Sequence, residues 1–363
     1  AAFRWRSSAD ACRRVRVAEH RGCVFGFEPD DHWGRRGGKG HGVIVTQGKW
    51  WLFAKATVSA ALLALLATKV DLGQAGQELS RADPVWVGLA GLATVAGFVV
   101  NTFKWRWLLT TLGVTPKFLR LLQLNYVGVF YGMVLPGQVG GEVVKAIRLT
   151  RDGAQPAQST ISIAMDRLTG LAGLGVLGTG ALLLAPATPL RAQFLGLGVA
   201  MALVGVALLP LLRHRPGVRS GGAGPNFLPT PARSFLADLQ RYRVRRQDLA
   251  LALGCSVVSQ ALVVTANYMV AVSLRVEVTL PEIGWIVAFV SLINLMPIAF
   301  AGLGVREGAY TFLLSQYGVP LSSGFAVALV VLLLLLAQAV AGGLCELVPL
   351  RPPARLTQQS PGE

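Results

Sequence analysis

Two glycine-bearing interruptions of apolar sequence carry the ionisable residues best placed to do chemistry. The first reads Leu135-Pro136-Gly137-Gln138-Val139-Gly140-Gly141-Glu142-Val143-Val144-Lys145. The second reads Met296-Pro297-Ile298-Ala299-Phe300-Ala301-Gly302-Leu303-Gly304-Val305-Arg306-Glu307. Each has an apolar lead-in, a proline break at Pro136 or Pro297, then glycines and a carboxylate near a base. Glycine lets the backbone turn and approach a ligand, and free N–H groups where a helix restarts attract phosphate-like anions. Gly140 and Gly141 precede a helix candidate, Val143–Leu149, with Lys145 and Arg148 adding positive charge. Glu142 opposes a bare phosphate, so it pairs with a base, reads a cationic group or takes up a proton. The alternative is a packing site with Glu142 near the surface.

Arg306-Glu307 is the sharper pair. An isolated Arg at a bilayer centre costs at least ~2.5 kcal/mol, which Glu307, Glu142 or a lipid phosphate would offset. An internal salt bridge holding the segment together accounts for the pair equally well. Asp166-Arg167 opens the next apolar span, where it either snorkels at a membrane end or lines an entrance if the two breaks meet at mid-depth. Asn101, Asn125, Gln138 and Asn294 are polar residues in apolar surroundings, a pattern met more often in helix packing than in ligand contact.

These residues sit in a chain of 363 residues that is 53% hydrophobic and 14% charged, with a mean hydropathy of +0.54. An ordinary soluble domain is about a quarter charged, and several apolar runs here approach the ~20 residues that cross a bilayer. The composition indicates an all-α polytopic membrane protein. The net charge of +16 falls between apolar runs and comes with no nucleic-acid reader motif, so topology and anionic lipid explain it better than nucleic acid. Cys12, Cys23, His32 and His41 lack any close metal-ligand pair, and no metal or cofactor is expected. There is no P-loop, G-x-S-x-G or H-E-x-x-H, and no catalytic residue is assigned.

Charge then orders the elements. Residues 1–48 form a basic arm without periodicity, expected to be disordered and cytoplasmic. Residues 49–350 form the membrane domain, interrupted by an Arg-rich linker at 213–248, and 351–363 form a tail. Full spans are expected at Trp50–Thr68, Pro84–Phe103, Ile161–Ala185, Pro189–Leu212, Leu249–Ser273 and Ser322–Leu347. Lys104-Trp105-Arg106-Trp107 reads as an aromatic and basic membrane exit. If Lys117–Ile147 crossed fully, the linker would fall outside whenever the N-terminal arm lies inside, against the positive-inside tendency. A re-entrant hairpin turning at Pro136–Gly141 keeps both inside, and Pro281–Tyr317 enters from the opposite face by the same logic. The expectation is six full spans plus two re-entrant hairpins, both termini cytoplasmic, as an inverted repeat would produce; eight plain crossings are the alternative. Arg241, Arg243, Arg245 and Arg246 are expected to hold anionic lipid at the cytoplasmic leaflet.

At Asn101–Trp107, Tyr126–Arg148, Asp166–Gly170 and Pro297–Gly308 the chain resembles the membrane domain of the lysylphosphatidylglycerol synthase family, also called flippase-like integral membrane proteins. The run Gly302-Leu303-Gly304-Val305-Arg306-Glu307-Gly308 is the most specific part. Where the family's first hairpin commonly carries Gly-Gly-Asp followed by an Arg, this chain has Glu142 and Lys145. Synthase-type members add a soluble aminoacyl-transferase domain; the sequence given ends at Glu363, soon after its last apolar run. The resemblance therefore implies binding or translocation of a phospholipid or polyprenyl-phosphate lipid in a bacterial inner membrane, not aminoacyl-lipid synthesis. The headgroup site it implies comprises Gly140, Gly141, Glu142, Lys145, Arg148, Asp166, Arg167, Gly302, Gly304, Arg306 and Glu307. A membrane-embedded transferase using a lipid-linked donor, or a non-catalytic envelope assembly partner, are the other readings.

Overall fold

The computed structural model describes residues 57, 59–62, 64–135, 139–186, 195–196, 199, 246–295 and 302–347. All lie in one unit, Gly48–Glu363; the other, Ala1–Gln47, is outside the described residues. Also outside are the expected breaks at Pro136 and Pro297, most of the expected span Pro189–Leu212, and Arg241, Arg243 and Arg245. Of Arg246 only the backbone is described.

The described residues form helices and no strands. In chain order these are α1 Ser59–Lys69, α2 Leu72–Ser80, α3 Pro84–Thr111, α4 Phe118–Val134 and α5 Val139–Arg151. There follow α6 Pro156–Leu184, α7 Arg246–Ser273, α8 Leu280–Leu295, α9 Val305–Ser315 and α10 Leu321–Leu347. Helices α3, α6, α7 and α10 are long and apolar enough to cross a membrane, and α1, α4 and α8 are apolar but shorter. The chain is an integral membrane protein.

Local chemistry sets several starts. Asp83 accepts a hydrogen bond from the Val85 amide at 2.9 Å, with Pro84 in the first turn of α3, where its missing N–H costs nothing. Asp71 caps α2 through the Gln74 amide. Gln158 accepts from the Gln155 amide and donates to the Leu112 carbonyl, which ties the start of α6 to the end of α3. Several boundaries differ from expectation. Helix α5 starts at Val139, so Gly140 and Gly141 lie within its first turn rather than ahead of a helix at Val143, and α7 begins at Arg246 rather than Leu249. Helix α3 continues eight residues beyond Phe103, to Thr111, and α6 begins at Pro156 rather than Ile161.

The helices fall into two series of similar length: 28, 17, 13 and 29 residues for α3, α4, α5 and α6, then 28, 16, 11 and 27 for α7, α8, α9 and α10. Their packing follows the same exchange. Helix α3 packs along α7, and the first short helix of each series lies on the last long helix of the other, α4 on α10 and α8 on α6. Both cross-packings are made through glycine. A Cβ at Gly342 of α10 would stand 2.1 Å from the Tyr126 carbonyl oxygen of α4. One at Gly178 of α6 would stand 2.5 Å from the Ala288 Cβ of α8.

Contacts at the helix termini sort into two ends. At one, Arg120 makes a bidentate pair with Asp152 (2.8 and 3.0 Å), Gln123 donates to the Cys345 carbonyl, and Arg148 pairs with Glu346. At the other, the Asp83 amide donates to the Ser273 carbonyl, and Ser322 and Ser323 donate to Glu78. The start of α4 and the end of α5 thus share one end. The start of α8 and the loop after α9 meet at the other, where Trp285 donates to the Tyr317 hydroxyl at 2.7 Å. The apolar core divides similarly. One cluster joins Trp105, Leu109, Leu121, Leu124 and Leu149, and a larger one is centred on Ile283, Ile286, Val290, Leu313 and Val327.

Candidate functional site

A cavity of about 430 Å³ lies where the two short-helix pairs converge between the long helices. Phe98 and Asn101 of α3, Gly170 of α6, Ser259 and Gln260 of α7 and Leu335 of α10 line it. All sit close to the middle of their helices. Met133 and Glu142 contribute from the first short pair, and Ser291, Asn294 and Arg306 from the second. The cavity therefore lies at mid-length of an apolar bundle, yet Lys104, Lys145, Arg167 and Arg306 line it against only two carboxylates, Glu142 and Asp166.

Glu142 bridges two cations. Its Oε2 lies 2.8 Å from Lys145 Nζ and its Oε1 pairs with Arg167. The Oε2 contact is an ion pair by distance, without the alignment of a hydrogen bond. Lys145 is fixed from several sides. Its Nζ is 3.4 Å from Asn125 Oδ1 and 5.0 Å from the centre of the Trp105 ring. A Cβ at Gly128 would come within 2.9 Å of its stem. Asn125 in turn donates to Thr102 at 2.9 Å. Arg167 is looser, with 45% of its side chain exposed against 16% for Glu142 and 8% for Lys145.

Lys104 forms a second centre. Only 1% exposed, it lies 3.0 Å from Asp166 Oδ1 and donates to the Asp166 carbonyl and to Ser256 Oγ. It joins α3, α6 and α7. A buried charge is tolerable only when paired and hydrogen-bonded, and both conditions are met. The third centre is Arg306, 5% exposed, whose Nη2 lies 2.9 Å from Glu307 Oε1. The other oxygen of Glu307 accepts from the Gly304 amide at 2.6 Å, closing the first turn of α9. Gly302 and Gly304 have φ of +77° and +84°, which L side chains rarely adopt. A Cβ at Gly302 would also meet Asn294 Oδ1 at 2.8 Å.

The structure thus brings Glu142, Lys145, Asp166, Arg167 and Arg306 around one cavity. Arg148 and Glu307 do not line it: Arg148 pairs with Glu346 and stacks on Tyr131, and Glu307 stands behind Arg306. Gly141 meets protein, since a Cβ there would sit 2.0 Å from the Gly128 carbonyl oxygen, and one at Gly140 would strike Leu135. Asp166 is 8% exposed and well inside α6, so it does not snorkel at a helix end. Lys104 and Trp105 are buried among helices rather than marking a membrane exit. From sequence, Lys104 reads as part of a membrane exit rather than of the site, and Ser256 carries no signal. The available signal for Lys104 was a lysine in the same apolar run as Asn101.

The fold and the cavity define an all-helical membrane protein with an ionisable site in its interior. Residues 52–343 match the sequence model of the family described as the lysylphosphatidylglycerol synthase TM region. The chain belongs to that family, which places it among membrane proteins of lipid metabolism or translocation. No match is found among the curated proteins.

Proposed function

We propose that this protein binds the phosphate-bearing headgroup of a phospholipid or polyprenyl-phosphate lipid and carries it between leaflets as a flippase-like transporter. One observation carries the reading: a mid-length cavity in an apolar bundle, lined from both short-helix pairs, with more cations than carboxylates. At ~1.5 Å per residue, α4 and α5 span about 25 and 20 Å, short of the ~30 Å hydrocarbon core. As packed pairs with their open ends at opposite ends of the bundle, α4–α5 and α8–α9 suit re-entrant hairpins of an inverted repeat.

In this reading Lys145, Arg167 and Arg306 hold phosphate, with Lys104 and Asp166 completing the wall. Gly140, Gly141, Gly302 and Gly304 shape the hairpins, while Arg148 and Glu307 brace α5 and Arg306. The basic arm at 1–48, the linker at 213–248 and the tail at 351–363 face the cytoplasm of a bacterial cell. Arg241, Arg243, Arg245 and Arg246 there attract anionic lipid. A transferase would need Glu142 or Asp166 as a free base, and both are engaged by cations. The test is leaflet translocation of labelled anionic lipid by the purified chain in vesicles. Arg167→Ala and Arg306→Ala should each slow it at least about tenfold, the loss of one hydrogen bond to a charged group at ~1.5–3 kcal/mol; unchanged rates in both variants would overturn the site.

A further inference from the structure

Three ionic centres surround the cavity, and they are not equivalent. Lys104 is matched to Asp166, and Arg306 to Glu307. Glu142 alone serves two cations, Lys145 and Arg167. Lys145 is immobilised by Asn125, the Trp105 ring and the Gly128 backbone, whereas nearly half of the Arg167 side chain is accessible. If Arg167 swung away, Glu142 would still be paired with Lys145. The high cost of leaving a carboxylate buried without a partner is thereby avoided. Arg167 is the one cavity cation, among the described residues, that can change partner without orphaning a carboxylate.

We infer that Glu142 is a resident anion holding the place of the ligand: an arriving phosphate takes Arg167 from Glu142, while Glu142 stays with Lys145. This rests on the function proposed above and adds how the site is loaded. A guanidinium suits the exchange, because it binds a carboxylate and a phosphate through the same planar fork. The Glu142–Arg167 pair also ties α5 to α6. The same exchange that admits the headgroup therefore releases an ionic link between the first hairpin and its neighbouring long helix.

A competitor and a structural brace give opposite signs. Removing a brace weakens ligand binding; removing a competitor strengthens it. The experiment is calorimetric titration of the purified full chain in non-ionic detergent with short-chain phosphatidylglycerol. Short-chain phosphatidylcholine and inorganic phosphate are titrated in parallel. Glu142→Gln is expected to bind phosphatidylglycerol about tenfold more tightly than the unmodified chain, equivalent to ~1.4 kcal/mol. Arg167→Gln should bind about tenfold more weakly, and the double variant should show no gain over Arg167→Gln. Glu142→Asp keeps the charge and the fold but is too short to span both cations, so it should tighten binding by a smaller factor. Equal or weaker phosphatidylglycerol binding in both Glu142 variants would overturn the exchange while leaving the proposed lipid binding intact. Binding of neither phosphatidylglycerol nor inorganic phosphate by the unmodified chain would overturn both. If inorganic phosphate alone bound, and Glu142→Gln tightened it, the exchange would stand and the lipid reading would fall.

Discussion

At the scale of single residues, Lys104 shows how burial and pairing decide what a charge costs. Its ammonium is enclosed by α3, α6 and α7 and neutralised by Asp166 at 3.0 Å. Removing one partner of such a pair typically costs about 3–5 kcal/mol, whereas replacing both with apolar groups is often neutral. Lys104→Met should therefore sharply lower the thermal unfolding midpoint in detergent. Lys104→Met combined with Asp166→Leu should recover most of the loss. A double variant no more stable than the single would show that the pair does not carry the local stability. Little of this was legible in the sequence. Lys104 stands between Phe103 and Trp105-Arg106-Trp107, which reads as a membrane interface, and its partner lies 62 residues away. In sequence Asp166 reads as close to a span end, because the apolar stretch begins at Ile161. The helix itself begins at Pro156, putting Asp166 about 15 Å along it at 1.5 Å per residue. Glu142, Lys145 and Arg306 were legible because each interrupts an apolar run beside glycines.

At the scale of elements, glycine sets how closely the short helices approach their neighbours. Gly141 of α5 lies against the Gly128 carbonyl of α4, and Gly342 of α10 against the Tyr126 carbonyl. Both obstacles are backbone, which cannot rotate aside as a side chain can. Gly141→Ala and Gly342→Ala should each destabilise the protein by at least about 1–3 kcal/mol, the usual cost of overpacking. Gly132→Ala in α4, where nothing lies within 4 Å of the added carbon, should be neutral or better, since alanine is the stronger helix former. Thermal unfolding of the three variants in one detergent would separate them, and equal midpoints would contradict the close approach. The sequence marked the Gly140-Gly141 break as an irregular segment poised for a ligand. It held no sign that Gly141 is occupied by the opposing helix, because that contact depends on how α4 folds back on α5. For Arg306-Glu307 the sequence left a ligand contact and an internal salt bridge open. The structure makes the salt bridge and also sets Arg306 on the cavity wall.

At the scale of the whole molecule, the two series of helices match in length and packing but not in charge. Lys104, Glu142, Lys145, Asp166 and Arg167 all belong to the first, while the second brings only Arg306, backed by Glu307, to the same cavity. Two matched series of helices with one charge-rich member give a site whose ionic contacts lie mostly on one side. The arrangement makes a sharp topological prediction. If α4–α5 is re-entrant, Lys117 before it and Arg151 at its end lie on the same membrane face. If α8–α9 is re-entrant from the other side, Glu277 and Gln316 share the opposite face. A continuous crossing through either segment would separate the members of that pair. With Cys12, Cys23, Cys255 and Cys345 replaced by serine, single cysteines at Lys117, Arg151, Glu277 and Gln316 can be labelled in intact cells with a membrane-impermeant maleimide. Cysteines at Glu277 and Gln316 should react from outside, and those at Lys117 and Arg151 only after the membrane is opened. The charges support this orientation. Lys117, Arg120, Arg148 and Arg151 crowd the end assigned to the cytoplasm, whereas Arg81 and Arg275 at the other end are offset by Glu78 and Glu277, as the positive-inside tendency requires. Labelling of Lys117 and Arg151 from opposite faces would make α4 and α5 parts of one crossing and remove the basis for a site between two hairpin tips.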